Sequence, residues 1–276
     1  MSNRKHFFSY LAICYFLFFV ILQAQWTQSE FIIGAFVGPN IQGVTDAVAI
    51  QRFQQVKDAH FNLIAYPFHV YDSEYPNGTI FSESYNDRSI SIASQVGLKY
   101  LINDSRHMPA AFWNFSTPTS TYNATTASQM VTHYQGLSTL NAIYGYFLKD
   151  EPSPSTINSS HLPYLRNYVS YIKTNQSQKL AFINMLPYYA FSTKTAYESY
   201  LDEYLVNGSS DQIPQALGFD YYLEDGTISS TNYFYNLSII RTKAQGKPFW
   251  ACPRVAIYHT NVDADNSLIC TNHYLI

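Results

Sequence analysis

The sequence predicts an α/β fold of the (β/α)8 TIM-barrel type, incomplete or divergent at its C-terminal end, where an eighth unit is not evident. Three observations lead there. Seven short apolar, β-branched or aromatic runs recur, their starts 30, 37, 43, 39, 36 and 31 residues apart, and each interval has room for a strand, a helix and a return loop. The segments between the runs space their apolar residues as helices do. No Gly-x-Gly-x-x-Gly follows the first run, so the mark of a dinucleotide-binding doubly wound sheet is missing and serial βα units favour a barrel.

The first run is FIIGAFVGP at 31–39. Behind it, Ala49, Phe53, Val56 and Ala59 fall on one face of a helix. The second run is FNLIAYPF at 61–68, and the third, LKYLIND at 98–104, follows Gly97, placed as a helix C-cap should be. The fourth, NAIYGYFLKD at 141–150, precedes a helix whose apolar face carries Leu162, Leu165, Val169 and Ile172. Pro163 is tolerated in the first turn of that helix, where its missing N–H has no partner to lose. LAFINMLP at 180–187, ALGFDYYL at 216–223 and KPFWACP at 247–253 complete the series, with Gly246 capping the helix before the last. A complete barrel takes about 250 residues and an eighth strand with flanking helices. Residues 254–276 show little helical pattern, so this end reads as truncated, divergent or incomplete.

Hydrophobic residues make up 47% of the 276 and charged residues 13%, which supplies one large core and argues against general disorder. The net charge of −3 comes without a basic run, so nucleic acid and acidic lipid are not expected partners. The 25 Tyr and 19 Phe are the main bias. Tyrosine joins an apolar face to a polar tip, which suits sugar-binding clefts, although most of these rings belong to core and strand positions.

Arg4, Lys5 and His6 precede an apolar stretch at 7–22 and then Gln23-Ala24-Gln25. That order describes a secretory signal peptide, and the stretch is shorter than the roughly 20 apolar residues of a spanning helix. The expectation is a signal at 1–24, a barrel domain at 25–276, and a secreted, periplasmic or extracellular protein with no stable membrane span after cleavage. Cys14 leaves with the signal, and Cys252 and Cys270 remain for one disulfide in an oxidising compartment. Asn-x-Ser/Thr sequons stand at Asn77, Asn103, Asn114, Asn123, Asn158, Asn175, Asn207 and Asn236, glycan acceptors only in a eukaryotic export route.

Barrel enzymes do their chemistry where strands end. The ends here carry Pro39 and Asn40; His69 and Tyr71; Asn103, Asp104 and His107; Asp150 and Glu151. Later ends carry Asn184 and Tyr188; Asp220, Tyr221 and Tyr222; Trp250 and Arg254. Carboxylates move protons, amides bind hydroxyls and flat rings stack on sugar faces, so the set fits a polyhydroxylated ligand. His69, His107, His133 and His259 lack any His-Glu-x-x-His or Cys-x-x-Cys context, so no metal and no cofactor are expected. No Gly-x-Ser-x-Gly elbow occurs, against an α/β-hydrolase.

GYFLKDEPSP at 145–154 resembles the end of the fourth strand in clan A glycoside hydrolases, where an Asn-Glu-Pro or Asp-Glu-Pro motif holds the general acid/base. LPYLRNYVSYIKTNQSQKLAFINMLPYY resembles the following helix and fifth strand of bacterial secreted glycosidase-like barrels. FDYYLEDG and NYFYNLSIIRTKAQGKPFWA resemble their sixth strand, sixth helix and seventh strand. The resemblance covers roughly residues 31–255 and implies Glu151 as acid/base with Asp150 beside it. It implies a β-linked oligo- or polysaccharide substrate, for which the strand-end residues His69, Asn103, Asp104, Asn184, Tyr221, Tyr222 and Trp250 are the expected contacts. One departure is plain: these retaining enzymes place a nucleophilic Glu at the end of the seventh strand, and KPFWACPRVAIYH contains no acid. Asp263 and Asp265 come too late, leaving Asp220 as the candidate second carboxylate and Asp104 behind it. Two alternatives stay open: a carbohydrate-binding barrel that cleaves nothing, and a fragment of a longer glycosidase.

Overall fold

The computed structural model describes residues 25–36, 38–65, 83–104, 122–156, 159, 161–221, 230–255 and 273–274, with backbone alone at 220, 230–231, 252–255 and 273–274. Strands and helices alternate as β1 (Gly34–Ala35), α1 (Asp46–Asp58), β2 (Leu63–Ile64), α2 (Glu83–Val96), β3 (Lys99–Ile102) and α3 (Ala124–Gln135). They continue as β4 (Ile143–Asp150), α4 (His161–Asn175), β5 (Leu180–Met185), α5 (Lys194–Leu205), β6 (Leu217–Tyr221), α6 (Ser230–Ala244) and β7 (Phe249–Val255). Every run expected to be a strand contains one. β1 to β7 pair in chain order and all in parallel, which is the curled sheet of an incomplete (β/α)8 barrel.

The seam departs from the barrel pattern. A two-residue strand, β8 (His273–Tyr274), pairs antiparallel with β7 and lies against β1. An antiparallel strand therefore stands where a parallel eighth strand belongs, and no eighth helix appears among the described residues. The signal expected at 1–24, His69, His107, Tyr222 and Cys270 lie outside the described residues, as does the Cys252 side chain.

Local chemistry explains where the helices begin and end. Thr45, Asn123 and Thr193 are N-caps whose side chains accept from Val48, Thr126 and Ala196 N–H, each worth about 1 kcal/mol. Gly97 and Gly246 leave their helices at φ 73° and 84°, the left-handed C-terminal exit expected of them. Ala59 differs from expectation. α1 stops at Asp58, and Ala59 is its exposed C-cap, because the chain turns at His60 (φ 65°) toward β2. In α4, Leu165, Val169 and Ile172 are buried as the spacing predicts, and Tyr164 and Tyr168 widen that face.

Alternation along the strands builds two cores. On β5, Ala181, Ile183 and Met185 pack under the helices, while Leu180 and Phe182 point inward with Leu63, Leu101 and Phe147. Inside the curl, rings pass contacts from Trp26 to Tyr144 (5.7 Å), Tyr144 to Trp250 (6.2 Å), Trp250 to Phe182 (4.8 Å) and Phe182 to Phe147 (5.3 Å). Burying each ring contributes roughly 1.5–3 kcal/mol. β4 and β5 approach closely at Gly145, where a Cβ would stand 2.1 Å from the Leu180 carbonyl oxygen.

Candidate active site

β4 is buried from Ile143 to Leu148 and half-buried at Lys149 and Asp150. Its register against β5 shifts between Phe147 and Lys149, which sets Asp150 opposite Asn184. Asn184 follows Phe182 by two residues and so shares its inward face. It is fully buried, and its Nδ2 donates to Asp150 Oδ1 at 2.8 Å. Gly218, opposite Asn184 on β6, leaves the space that Phe182 and the Asn184 amide oxygen fill.

Glu151 comes directly after the strand. Its N–H donates to the Asn184 carbonyl at 2.8 Å, continuing the β4–β5 ladder by one rung. Its φ is 45°, a left-handed conformation costing a non-glycine residue about 1–2 kcal/mol. Pro152 contributes, since it disfavours the right-handed helical region for the residue before it. Strain of this kind persists only where the surroundings impose it, and it gathers at functional sites.

Those surroundings come from α4 and α5. Ser153 N–H donates to His161 Nδ1 at 3.2 Å. Tyr200 OH donates to the Pro152 carbonyl at 2.9 Å and accepts from Leu186 N–H at 3.1 Å. Tyr204 OH donates to the Ser153 carbonyl at 2.8 Å. Ser155 gives its N–H and its hydroxyl to the two oxygens of Glu203 at 3.1 and 2.6 Å. Burial pushes His161 down to about 4, with Lys149 adding to the effect, so the ring is neutral at pH 7 and free to accept at Nδ1. Burial likewise lowers the Lys149 amine, while the neighbouring Asp150 and Glu151 carboxylates pull it back up.

The other expected contacts separate into inner and outer positions. Asn103 follows inward-facing Leu101 by two residues and is fully buried. Asn86 grips its backbone, donating to the Asn103 carbonyl at 2.8 Å and accepting from its N–H at 3.3 Å. Among the described residues, neither polar atom of the Asn103 side chain has a hydrogen-bond partner. Asp104, in contrast, lies buried beneath α3 and accepts from Tyr134 OH at 2.7 Å. Strand alternation turns it away from the inner face. Tyr221 likewise faces the layer under the helices: it is 1% exposed and edge-on to Tyr189 and Tyr233 at 5.3 Å each. Trp250, expected as a stacking platform, lies on the inner face at 4% exposure, tilted against Phe182 and Tyr144, and its Nε1 donates to Gln28 Oε1 at 2.9 Å.

Asp220 lies near the end of β6 opposite Cys252, its side chain outside the described residues, as are His69 and Tyr222. The structure thus joins Asp150, Glu151 and Asn184 directly and leaves Asn103 on the same inner surface. Lys149 and Tyr200 lie close enough to Glu151 to feel its charge, and His161 holds the turn that follows it; none of the three was among the expected site residues. Lys149 was legible by adjacency alone; nothing in the sequence links Tyr200 to a loop 48 residues away.

No protein-family model matches the chain, and no curated protein sequence does. Solved structures do match. A thermostable mutant of a xylanase (Xyn10A) from Cellvibrio japonicus aligns with a TM-score of 0.52 at 15% identity, over 86% of this chain and 74% of that one. Gas2p from Saccharomyces cerevisiae, a mutant in complex with laminaritetraose and laminaripentaose, gives 0.52 at 10% identity, over 87% of this chain and 53% of that one. An FMN-binding β-glucuronidase from Facaelibacterium prausnitzii L2-6 gives 0.47 at 8% identity, and the chain spans only 33% of its length. The chain is similar in fold to these glycoside hydrolase structures, with seven parallel strands of a (β/α)8 barrel and an antiparallel strand at its seam.

Proposed function

We propose that the chain is a secreted glycoside hydrolase that cleaves O-glycosidic bonds of an oligo- or polysaccharide, with Glu151 as general acid/base. One observation carries this reading: Glu151 stands at the C-terminal end of β4 in a strained backbone conformation, beside a half-buried Asp150 bonded to Asn184, in a fold shared with a xylanase. A carboxylic acid there protonates the glycosidic oxygen as the bond breaks, then takes a proton from the incoming water. Asp150 and Asn184 hold the strand end and present amide and carboxylate edges to sugar hydroxyls. The orphaned Asn103 amide, a donor and an acceptor together, suits a hydroxyl as well.

Asp220 is the proposed second carboxylate, supported by its place near the end of β6. A separation of about 5–5.5 Å from Glu151 gives retention and about 6.5–9.5 Å inversion. The basic and apolar start of the chain supports export, and mass spectrometry of the exported protein is expected to find Gln25 at its N-terminus. A saccharide substrate is supported by a structural neighbour that is a xylanase, and the β linkage rests on the resemblance of GYFLKDEPSP alone.

Glu151→Gln tests the assignment, because it keeps shape and removes the titrating proton. The natural chain hydrolyses aryl β-glycosides and the variant loses about 10²- to 10⁴-fold in kcat/KM. A natural chain that binds saccharides and cleaves none identifies a carbohydrate-binding barrel, the reading favoured by the missing acid in β7.

A further inference from the structure

We propose that Tyr200 is a positioning residue for Glu151, fixing the turn after β4 by tying it to the end of β5. The inference rests on Glu151 being the acid/base, and it names what sets that carboxyl in place. A left-handed glutamate relaxes unless neighbouring peptide groups are pinned. Asn184 pins the Glu151 N–H on one side, and Tyr200 pins the other: its hydroxyl donates to the Pro152 carbonyl at 2.9 Å, one residue from Glu151. The same hydroxyl accepts from Leu186 N–H at 3.1 Å, just beyond β5. One oxygen therefore bridges the ends of the two strands that carry Glu151 and Asn184.

The ring itself is held. Tyr200 is 1% exposed and packs against Phe191 at 4.9 Å and Tyr204 at 5.3 Å. Glu203 and Tyr204, three and four residues along α5, hold Ser155 and Ser153, because residues at that spacing share a helix face. The grip thus comes from the outer layer of the fold, and α5 sets the position of the turn that carries Glu151. Tyr200 touches no reacting atom in this scheme. It acts through the Pro152 peptide.

Tyr200→Phe removes the hydroxyl and keeps the ring. In the full chain, this variant is expected to lower kcat on an aryl β-glycoside about tenfold while KM stays within about twofold, the pattern of a misplaced catalytic group. The second readout needs no turnover. In protein labelled with ¹³C at the glutamate carboxyl, the Glu151 signal is identified by its loss in Glu151→Gln, and its titration midpoint in Tyr200→Phe shifts by at least about 0.3 pH unit. A variant that loses thermal stability but keeps both kcat and the Glu151 midpoint overturns the proposal and leaves Tyr200 a packing residue. A midpoint that moves in a chain with no hydrolytic activity keeps the positioning role and sinks the glycosidase reading instead. Tyr204→Phe is the control for general loosening: it removes an equivalent buried hydroxyl bond one peptide farther away and is expected to leave the Glu151 midpoint in place. A shift of equal size there also overturns the assignment to Tyr200.

Discussion

Asn103 is a buried side chain left poorly satisfied among the described residues. A buried amide with two unpartnered atoms costs about 1–3 kcal/mol, and the fold spends an Asn86 side chain holding its backbone in place. Asn103→Leu removes the orphaned atoms at similar size. The ligand-free variant is expected to be more stable by about 1 kcal/mol, read as a melting temperature higher by roughly 2–4 °C. The same change weakens saccharide binding in isothermal titration. An unchanged affinity excludes Asn103 from ligand contact. Burial also settles two sequons: Asn103 and Asn236 are fully enclosed and are closed to glycan transfer once the chain has folded, while Asn123, Asn175 and Asn207 are exposed.

At the scale of elements, the turn after β4 is held by side chains from α4 and α5, and one of them titrates. His161 is held at about 4 against an ordinary 6.5, so the unfolded chain takes up this proton first as pH falls. His161 therefore lowers stability progressively from about pH 6.5 down to about pH 4, and above that window it contributes no pH dependence. His161 is partly exposed, so solvent screening reduces the effect. His161→Gln is expected to flatten the urea-midpoint profile between about pH 6.5 and pH 4. An equal slope in both proteins removes His161 from the account. The elements themselves were largely readable. Leu165, Val169 and Ile172 predicted α4, and Gly97 and Gly246 predicted two helix ends. Reading only as far as apolar runs set strand bounds too wide, most of all at β1 and β2, which have two residues each. A run reports burial, whereas a strand also requires a hydrogen-bonded neighbour.

Over the whole molecule, the N-terminal segment closes the interior. Trp26 N–H donates to the Ser177 carbonyl, its ring meets Tyr144 at 5.7 Å, and Gln28 holds the Trp250 indole. Residues before the first strand thus complete the aromatic core. Trp26→Ala is expected to cost about 3–5 kcal/mol, measured by denaturant unfolding. A loss below about 1 kcal/mol would show that the segment is dispensable. The repeat of seven units and the position of Glu151 at a strand end were fixed by the sequence alone, because hydrophobic periodicity and turn chemistry are local properties. Which neighbours face inward was not local. The register shift in β4 brings Asp150 to Asn184, alternation sends Asp104 and Tyr221 outward, and the curl of the sheet folds Trp250 into the core. Only the tertiary structure decides these, since each depends on pairing between residues about 30 or more positions apart, and so does the hold of Tyr200 on the turn beside Glu151.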